Sequence, residues 1–251
     1  LLDGKIPFKT PEGLKASLEL PHAGKIEGMF IPKGITLIVG GGFHGKSTLL
    51  RAIQDAVYPH IAGDGRERVA TLPSAIKVRA EDGRAVREVN LSAFMDHLPG
   101  IDSTEQFSTQ SASGSTSQAV NILEAVEIGA KLLLMDEDTC ATNFMIRDER
   151  MQALVAKGNE PITPFLDRVR EINELLGVSV ILVMGGSGDY FDPADHIVAM
   201  EDFKPREVTG EAKHIVMENP GQRKKETTFF FPPVRERRWD LSKLKFSKGK
   251  R

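Results

Sequence analysis

Nine consecutive residues constrain this chain more than any others: Gly40-Gly41-Gly42-Phe43-His44-Gly45-Lys46-Ser47-Thr48. They fit G-x-x-x-x-G-K-[ST], with Gly40, Gly45, Lys46 and Ser47 at the fixed positions. The run Ile35-Thr36-Leu37-Ile38-Val39 before them is apolar and β-branched and lies between two glycines, which reads as a buried strand. After them Leu49, Leu50, Ile53 and Val57 recur at helical spacing and stop at Pro59. Strand, glycine loop and helix together predict a phosphate-binding P-loop. Glycines let the backbone turn without a Cβ clash, so successive N–H groups converge on phosphate oxygens. The helix starting near Lys46 adds its unpaired N–H groups and the positive end of its dipole. Lys46 is expected to face the β- and γ-phosphates, and the Ser47 hydroxyl to ligate Mg²⁺.

A length of 251 residues allows one large domain or two small ones with a proper core. No apolar run approaches the ~18 residues of a membrane span. The opening Leu1-Leu2-Asp3-Gly4-Lys5 carries neither a signal-peptide pattern nor a starting Met, so the chain reads as an excised or truncated core. A single cysteine, Cys140, excludes an intrachain disulfide and a multi-cysteine metal site, and fits an intracellular, soluble protein. The charge is unevenly placed. Residues 221–251 hold eleven Lys/Arg against three Asp/Glu, a net of +8, and residues 1–220 must then carry −10. That asymmetry divides the chain into a nucleotide-binding domain, 1–217, and a basic C-terminal arm, 218–251.

Prolines keep residues 1–33 to strands and turns. Arg66 and Arg68, in a turn-rich segment, read equally as phosphate ligands or as a solvated loop. Ala75-Ile76-Lys77-Val78-Arg79 and Val86-Arg87-Glu88-Val89-Asn90 alternate on either side of Asp82-Gly83, which predicts a β-hairpin. Residues 108–118 are nearly all small and polar; alone they read as a flexible linker. The amphipathic run that follows makes them instead the start of a helix, with Ser113 the natural N-cap.

Lys131-Leu132-Leu133-Leu134-Met135-Asp136-Glu137-Asp138 reads as a buried strand that delivers carboxylates at its C-terminal edge, where open α/β sheets bind ligands. Asp136 is expected to hold Mg²⁺ and Glu137 to activate the attacking water. Helices are expected over 143–155 and 164–176, and strands over 178–184 and 196–200. The second-last strand ends in Gly185-Gly186-Ser187-Gly188-Asp189, either a plain turn or a γ-phosphate sensor built on Ser187 or Asp189. Apolar strands alternating with helices give an α/β fold, a mostly parallel sheet covered on both faces, with the hairpin added.

The order of P-loop, Ser-Gly cluster and Asp-Glu pair resembles the ATP-binding-cassette (ABC) ATPases. Counted back from Asp136-Glu137 without gaps, their signature Ser-Gly falls on Ser113-Gly114, followed here by Ser115-Thr116. The resemblance implies ATP and Mg²⁺ as ligands and a head-to-tail homodimer, with the signature of one copy meeting the γ-phosphate held by the other. It also implies an aromatic upstream of the P-loop under the adenine, for which Phe8 and Phe30 are available. Residues 36–52, 63–67, 112–118, 135–150, 160–165 and 182–191 resemble more specifically the predicted ATPases of the ABC class. Those include many bacterial proteins and a trypanosome mitochondrial RNA-editing ATPase. That likeness implies RNA as a partner and, where it extends to the trypanosome member, a mitochondrial location in place of a cytoplasmic one.

The sequence departs from the pattern in three places. Gly185-Gly186 stands where transporter-type members have a switch histidine, which implies slow turnover. Asn143 replaces an aspartate, and Asp138 a proline. The C-terminal arm interleaves basic and aromatic residues, in Arg223-Lys224-Lys225, Phe229-Phe230-Phe231, Arg235-Glu236-Arg237-Arg238-Trp239 and Lys243-Leu244-Lys245-Phe246. This composition suits single-stranded nucleic acid, or an arm packed on the body. Two functions therefore stand side by side: an ATPase, and a nucleotide-gated RNA clamp of slow or no turnover. A transporter fits less well, since 66 residues between Lys46 and Ser113 leave little room for a large helical subdomain.

Overall fold

The computed structural model describes residues 6–98, 100, 101, 103–228, 230–234, 237 and 242. The chain opens with an antiparallel hairpin, β1 (Lys15–Leu20) and β2 (Gly24–Met29). β3 (Ile35–Val39) leads through the glycine loop into α1 (Lys46–Asp55). Then come β4 (Ala75–Val78), β5 (Arg84–Val89), β6 (Phe107–Ala112) and α2 (Gly114–Glu127). β7 (Leu132–Asp136) is followed by two short helices, α3 (Thr142–Met145) and α4 (Glu149–Leu154). The chain continues through α5 (Phe165–Leu176), β8 (Ser179–Val183), β9 (His196–Glu201), β10 (Lys204–Glu207) and α6 (Thr209–Glu218).

The central sheet has the order β10-β9-β3-β8-β7-β4, parallel throughout except for the edge strand β10. Both faces are covered, and period-2 alternation sorts the side chains between them. Ile38, Leu132, Leu134, Ile181 and Val183 form one cluster with Leu50 and Ile53 of α1. Leu37, Leu133, Met135, Val180, Leu182 and Ile197 belong to the other, larger cluster with residues of α2, α5 and α6. On β7 the same alternation turns Asp136 to the face that α1 covers. No helix among the described residues is long and apolar enough to cross a membrane.

The predicted strand–loop–helix, the strands over 131–138, 178–184 and 196–200, and the helix over 164–176 are all present. Gly177 closes α5 in the left-handed conformation, donating to the carbonyls of Asn173 and Ile172. The α/β class with an antiparallel hairpin stands, but the hairpins are β1–β2 and β9–β10. The strands flanking Asp82-Gly83 exist and do not pair with each other. β4 joins β7 in parallel, with Val78 opposite Met135, and β5 pairs antiparallel with β6. The chain leaving β4 is drawn off by other partners. Ala80 N donates to Thr139 O (2.9 Å) and Glu81 N to Ser117 Oγ (2.8 Å). Alternation marks a strand but not its neighbour.

A second difference lies over 143–155, which is two helices rather than one. Arg147 interrupts it with a buried side chain, and Asp148 caps the second piece by accepting from Met151 N (2.9 Å). Residues 108–112 belong to β6 and are not a linker.

Candidate nucleotide-binding site

The glycine loop joins β3 to α1 at the C-terminal edge of the sheet. Gly40 (φ 132°) and Gly45 (φ 93°) occupy the region that side chains avoid. A Cβ on Gly40 would lie 2.5 Å from the Met200 carbonyl oxygen, and one on Gly45 would lie 2.8 Å from Phe203 Cδ1. Backbone against backbone cannot give way at Gly40, so that position has to be glycine. Lys46 turns its ammonium back over the loop and donates to the carbonyls of Gly40 (2.8 Å) and Gly41 (2.7 Å). An ammonium has three donors, so one is left to face a phosphate. Phe43 stands fully exposed at the loop tip with φ 64°, and Gly42 has open space where a Cβ would be.

The sequence reading missed a clasp that holds this loop. Asp202 and Phe203, both at positive φ, make the two-residue turn between β9 and β10. Such turns are normally Asn-Gly or Asp-Gly. His44 supplies what offsets the strain: its Nδ1 accepts from Asp202 N (2.8 Å), and its carbonyl accepts from Phe203 N (3.2 Å). Nδ1 as acceptor puts the proton of a neutral His44 on Nε2. The loop is therefore fastened from both sides, through Met200 under Gly40 and Phe203 over Gly45.

Asp136 ends β7 and is 5% exposed. Among the described residues its carboxylate accepts one long bond, from Asp138 N at 3.4 Å. A buried carboxylate so poorly satisfied calls for a cation. It shares the α1 face with the helix start that carries Ser47 and Thr48. Hard oxygen donors from one carboxylate and one hydroxyl are of the kind that Mg²⁺ takes, so these residues fit that ion. No cluster of three or more His, Cys, Asp or Glu suited to a metal occurs among the described residues.

Glu137, the next residue, lies across from the end of β8. Its Oε2 accepts from the backbone N–H groups of Gly185 (2.5 Å) and Gly186 (2.9 Å). A Cβ on Gly185 would lie 3.7 Å from Glu137 Oε2 and 3.8 Å from Lys46 Nζ. The loop lysine, the second carboxylate and the glycine pair thus meet in one place. Ser187 Oγ and Asp189 Oδ2 lie 3.1 Å apart and bond each other, and Asp189 N donates back to Ser187 Oγ (3.3 Å). The sequence could have pointed to Gly185 and Gly186 only as a double glycine after a buried strand.

Ser113 caps α2, with Thr116 N donating to its Oγ at 3.4 Å. Its hydroxyl also lies 3.2 Å from Ser115 Oγ and 3.0 Å from Thr116 Oγ1. Gly114 faces Asp82, whose Oδ1 would be 3.1 Å from an added Cβ. Among the described residues no hydrogen bond or ion pair joins Ser113, Gly114 or Ser115 to the glycine loop. The two are linked indirectly. Gln118, fully buried, accepts from Ala141 N (2.7 Å), so the helix carrying Ser113 is bonded to the turn that follows Asp136-Glu137.

The other candidates lie elsewhere. Arg66 pairs with Asp55 at 2.9 Å, while Phe8 and Phe30 are each about half exposed. In the arm, Arg223 pairs with Asp167 (2.6 Å), Lys225 with Glu171 (3.0 Å), and Arg237 with Glu124 (3.0 Å) and Glu127 (2.5 Å). These three basic residues are committed to carboxylates of the body. Phe229, Arg235, Glu236, Arg238, Trp239 and 243–251 lie outside the described residues.

Comparison with known proteins finds relatives in sequence and in fold. The protein MJ1628 of Methanocaldococcus jannaschii, described as uncharacterised, is 32% identical over 208 residues, which is 81% of this chain and 45% of that protein. The molybdenum import ATP-binding protein ModC of Methylococcus capsulatus is 24% identical over 207 residues, 68% of this chain and 51% of its own length. The chain spans about half the length of these curated relatives. Among solved structures, cbiO1 from Clostridium perfringens, part of the ABC transporter complex cbiONQ, aligns with a TM-score of 0.49 and 14% identity. That alignment covers 82% of this chain and 96% of that one. The family model for the ABC ATPase P-loop domain matches residues 2–237, and the chain belongs to that family.

Proposed function

We propose that this chain binds Mg-ATP at residues 40–48 and hydrolyses it in a head-to-tail homodimer. The observation that carries the reading is the convergence of Lys46, Glu137 and the Gly185-Gly186 amides at the C-terminal edge of the sheet. The loop amides and Lys46 stabilise charge that develops on the transferred phosphoryl group. Ser47 and Asp136 would hold Mg²⁺, which would neutralise phosphate charge in the transfer. Glu137 accepts the proton of the attacking water. Ser113, Gly114 and Ser115 offer the free N–H groups of the α2 N-terminus to the γ-phosphate bound by the other copy. Ser187 and Asp189 stand beside the glycine pair as sensors of that phosphate. With glycine where a histidine side chain would orient water, turnover is slow.

The test is chromatography with light scattering on Glu137→Gln, alongside ATPase assays of the wild type. A monomer that dimerises only with Mg-ATP supports the sandwich. A Glu137→Gln variant that hydrolyses ATP at the wild-type rate refutes Glu137 as base.

RNA as the partner rests on the resemblance and on the net +8 of residues 221–251. Arg223, Lys225 and Arg237 already face carboxylates, so contacts fall to the remaining basic residues. RNA affinity that is independent of both salt and nucleotide removes RNA from the reading.

A further inference from the structure

Glu137 is held by one oxygen. Oε2 takes both amide hydrogen bonds, from Gly185 and Gly186, while Oε1 accepts none among the described residues. Oε1 lies close over the α-carbon of Gly186, where a Cβ would come to 2.5 Å from it. Real Cβ contacts do not reach that distance, so any side chain at 186 displaces the carboxylate. The same substitution at Gly185 meets Glu137 Oε2 at 3.7 Å, an ordinary contact. Neither residue is at positive φ, so conformational freedom alone does not require glycine at either position.

We propose that Gly185-Gly186 is a backbone cradle that positions Glu137 for proton abstraction, and that Gly186 is a positioning residue whose bare α-carbon hydrolysis requires. The proposal rests on the reading of Glu137 as base. Two donors fixed in direction anchor Oε2 and leave Oε1 to accept a proton. Water adds to the γ-phosphorus, the bond from that phosphorus to the bridging oxygen of the departing ADP breaks, and the water's proton passes to Oε1. The cradle's place comes from the sheet itself. Asp136 is in register with Val183, which sets residue 137 beside residues 184–186, and Met184 N is bonded to Ile38 O (3.0 Å) at the end of β3.

Three variants of the whole chain test this: Gly186→Ala, Gly210→Ala as a control outside the site, and Gly186→Ala combined with Glu137→Gln. A misplacement of about 1 Å costs about a hundredfold in rate, so kcat should fall by that order in Gly186→Ala. Gly210→Ala, in α6 with nothing within 4 Å of an added Cβ, should stay within about threefold of wild type, since no contact is tightened. The affinity for a fluorescent ATP analogue should be unchanged in both. On the Glu137→Gln background, Gly186→Ala should cause no further loss. Equal kcat in Gly186→Ala and wild type overturns the cradle. So does a loss that persists in the double variant or is matched by weaker nucleotide binding, because either marks a merely structural effect.

A wild type without turnover would instead refute the ATPase reading. The cradle then stands or falls on glycine amide resonances in a ¹⁵N-glycine-labelled sample. Two of them should move in Glu137→Ala and the others remain. No movement overturns it.

Discussion

Replacing Arg147 with alanine removes the centre of a buried ionic junction between the body and the C-terminal segment. Arg147 is 6% exposed in its side chain and Glu226 8%, with 2.7 Å between Nη1 and Oε1. At an effective dielectric constant of about 20 their attraction is about 6 kcal/mol. Desolvation of each ion costs several kcal/mol, so the pair as a whole is close to neutral in net stability. Losing one partner is different. Without Arg147, among the described residues Glu226 keeps only the Gln152 Nε2 donor (3.0 Å) on Oε1, and its Oε2 already has no partner there. Without Glu226, Arg147 still donates to the carbonyls of Met151 (3.1 Å) and Val155. The expected loss is therefore about 4–5 kcal/mol for Arg147→Ala and about 3 for Glu226→Ala.

The cost has a ceiling. If it exceeds the free energy that holds residues 223–227 against α5, the segment leaves and takes its carboxylate into water. Urea denaturation then reads less than the full penalty, while trypsin cuts faster at Arg223, Lys224 and Lys225. Both are measured on wild type, on each single variant and on the pair Arg147→Met with Glu226→Met. The double apolar variant should recover most of the stability, because no charge is left buried. The reasoning is refuted if Arg147→Ala changes stability by less than about 0.5 kcal/mol without faster cleavage, the range of an ordinary surface substitution. It is also refuted if the double variant is no better than Arg147→Ala.

Gly40→Ala should abolish nucleotide binding by calorimetry, since its Cβ would meet the Met200 carbonyl oxygen at 2.5 Å and the loop must open to relieve it. Gln118→Ala leaves the Ala141 N–H unpaired, which should cost about 1–3 kcal/mol in urea. In the same variant the proposed ATP-driven dimerisation should weaken, because the turn after Glu137 and the α2 N-terminus are no longer joined. Cys140 has its thiol pKa pushed up to about 12, chiefly by burial and then by nearby Asp136 and Glu137. Native protein at pH 8 should thus react with iodoacetamide about a thousandfold more slowly than urea-unfolded protein, the thiolate being the reactive form. The raised pKa also means that the folded state keeps this proton longer than the unfolded one. Its contribution to stability is complete below pH ~9 and falls as the pH rises toward 12.

What the sequence conveyed follows from where the determining physics is local. The glycine loop, the run ending in Asp136-Glu137 and the Ser113 cap each carry their reason within about ten residues, and each was readable. Pairing was not, because alternation in 75–79 and 86–90 records burial on one side and leaves the neighbour open. β4 went to β7, an apolar strand more than fifty positions away. The sequence predicts one helix over 143–155 because Arg147 looks like a solvated helical residue until Glu226 arrives from 79 positions on. The basic arm shows the same limit from the opposite side. Its charge is plain in the sequence, but the carboxylates that meet Arg223 and Lys225 lie on the inner face of α5, where Asp167 and Glu171 are 3% and 0% exposed. Burying carboxylates so deeply is tolerable only if cations come to them. The charge asymmetry that suggests a nucleic-acid tail is therefore, for these residues, the other half of an internal pairing. Gly185-Gly186 is the sharpest case. Composition marks a flexible turn, yet both amides are fixed on one carboxylate oxygen, and the absence of a side chain at 186 matters for the room it leaves Glu137.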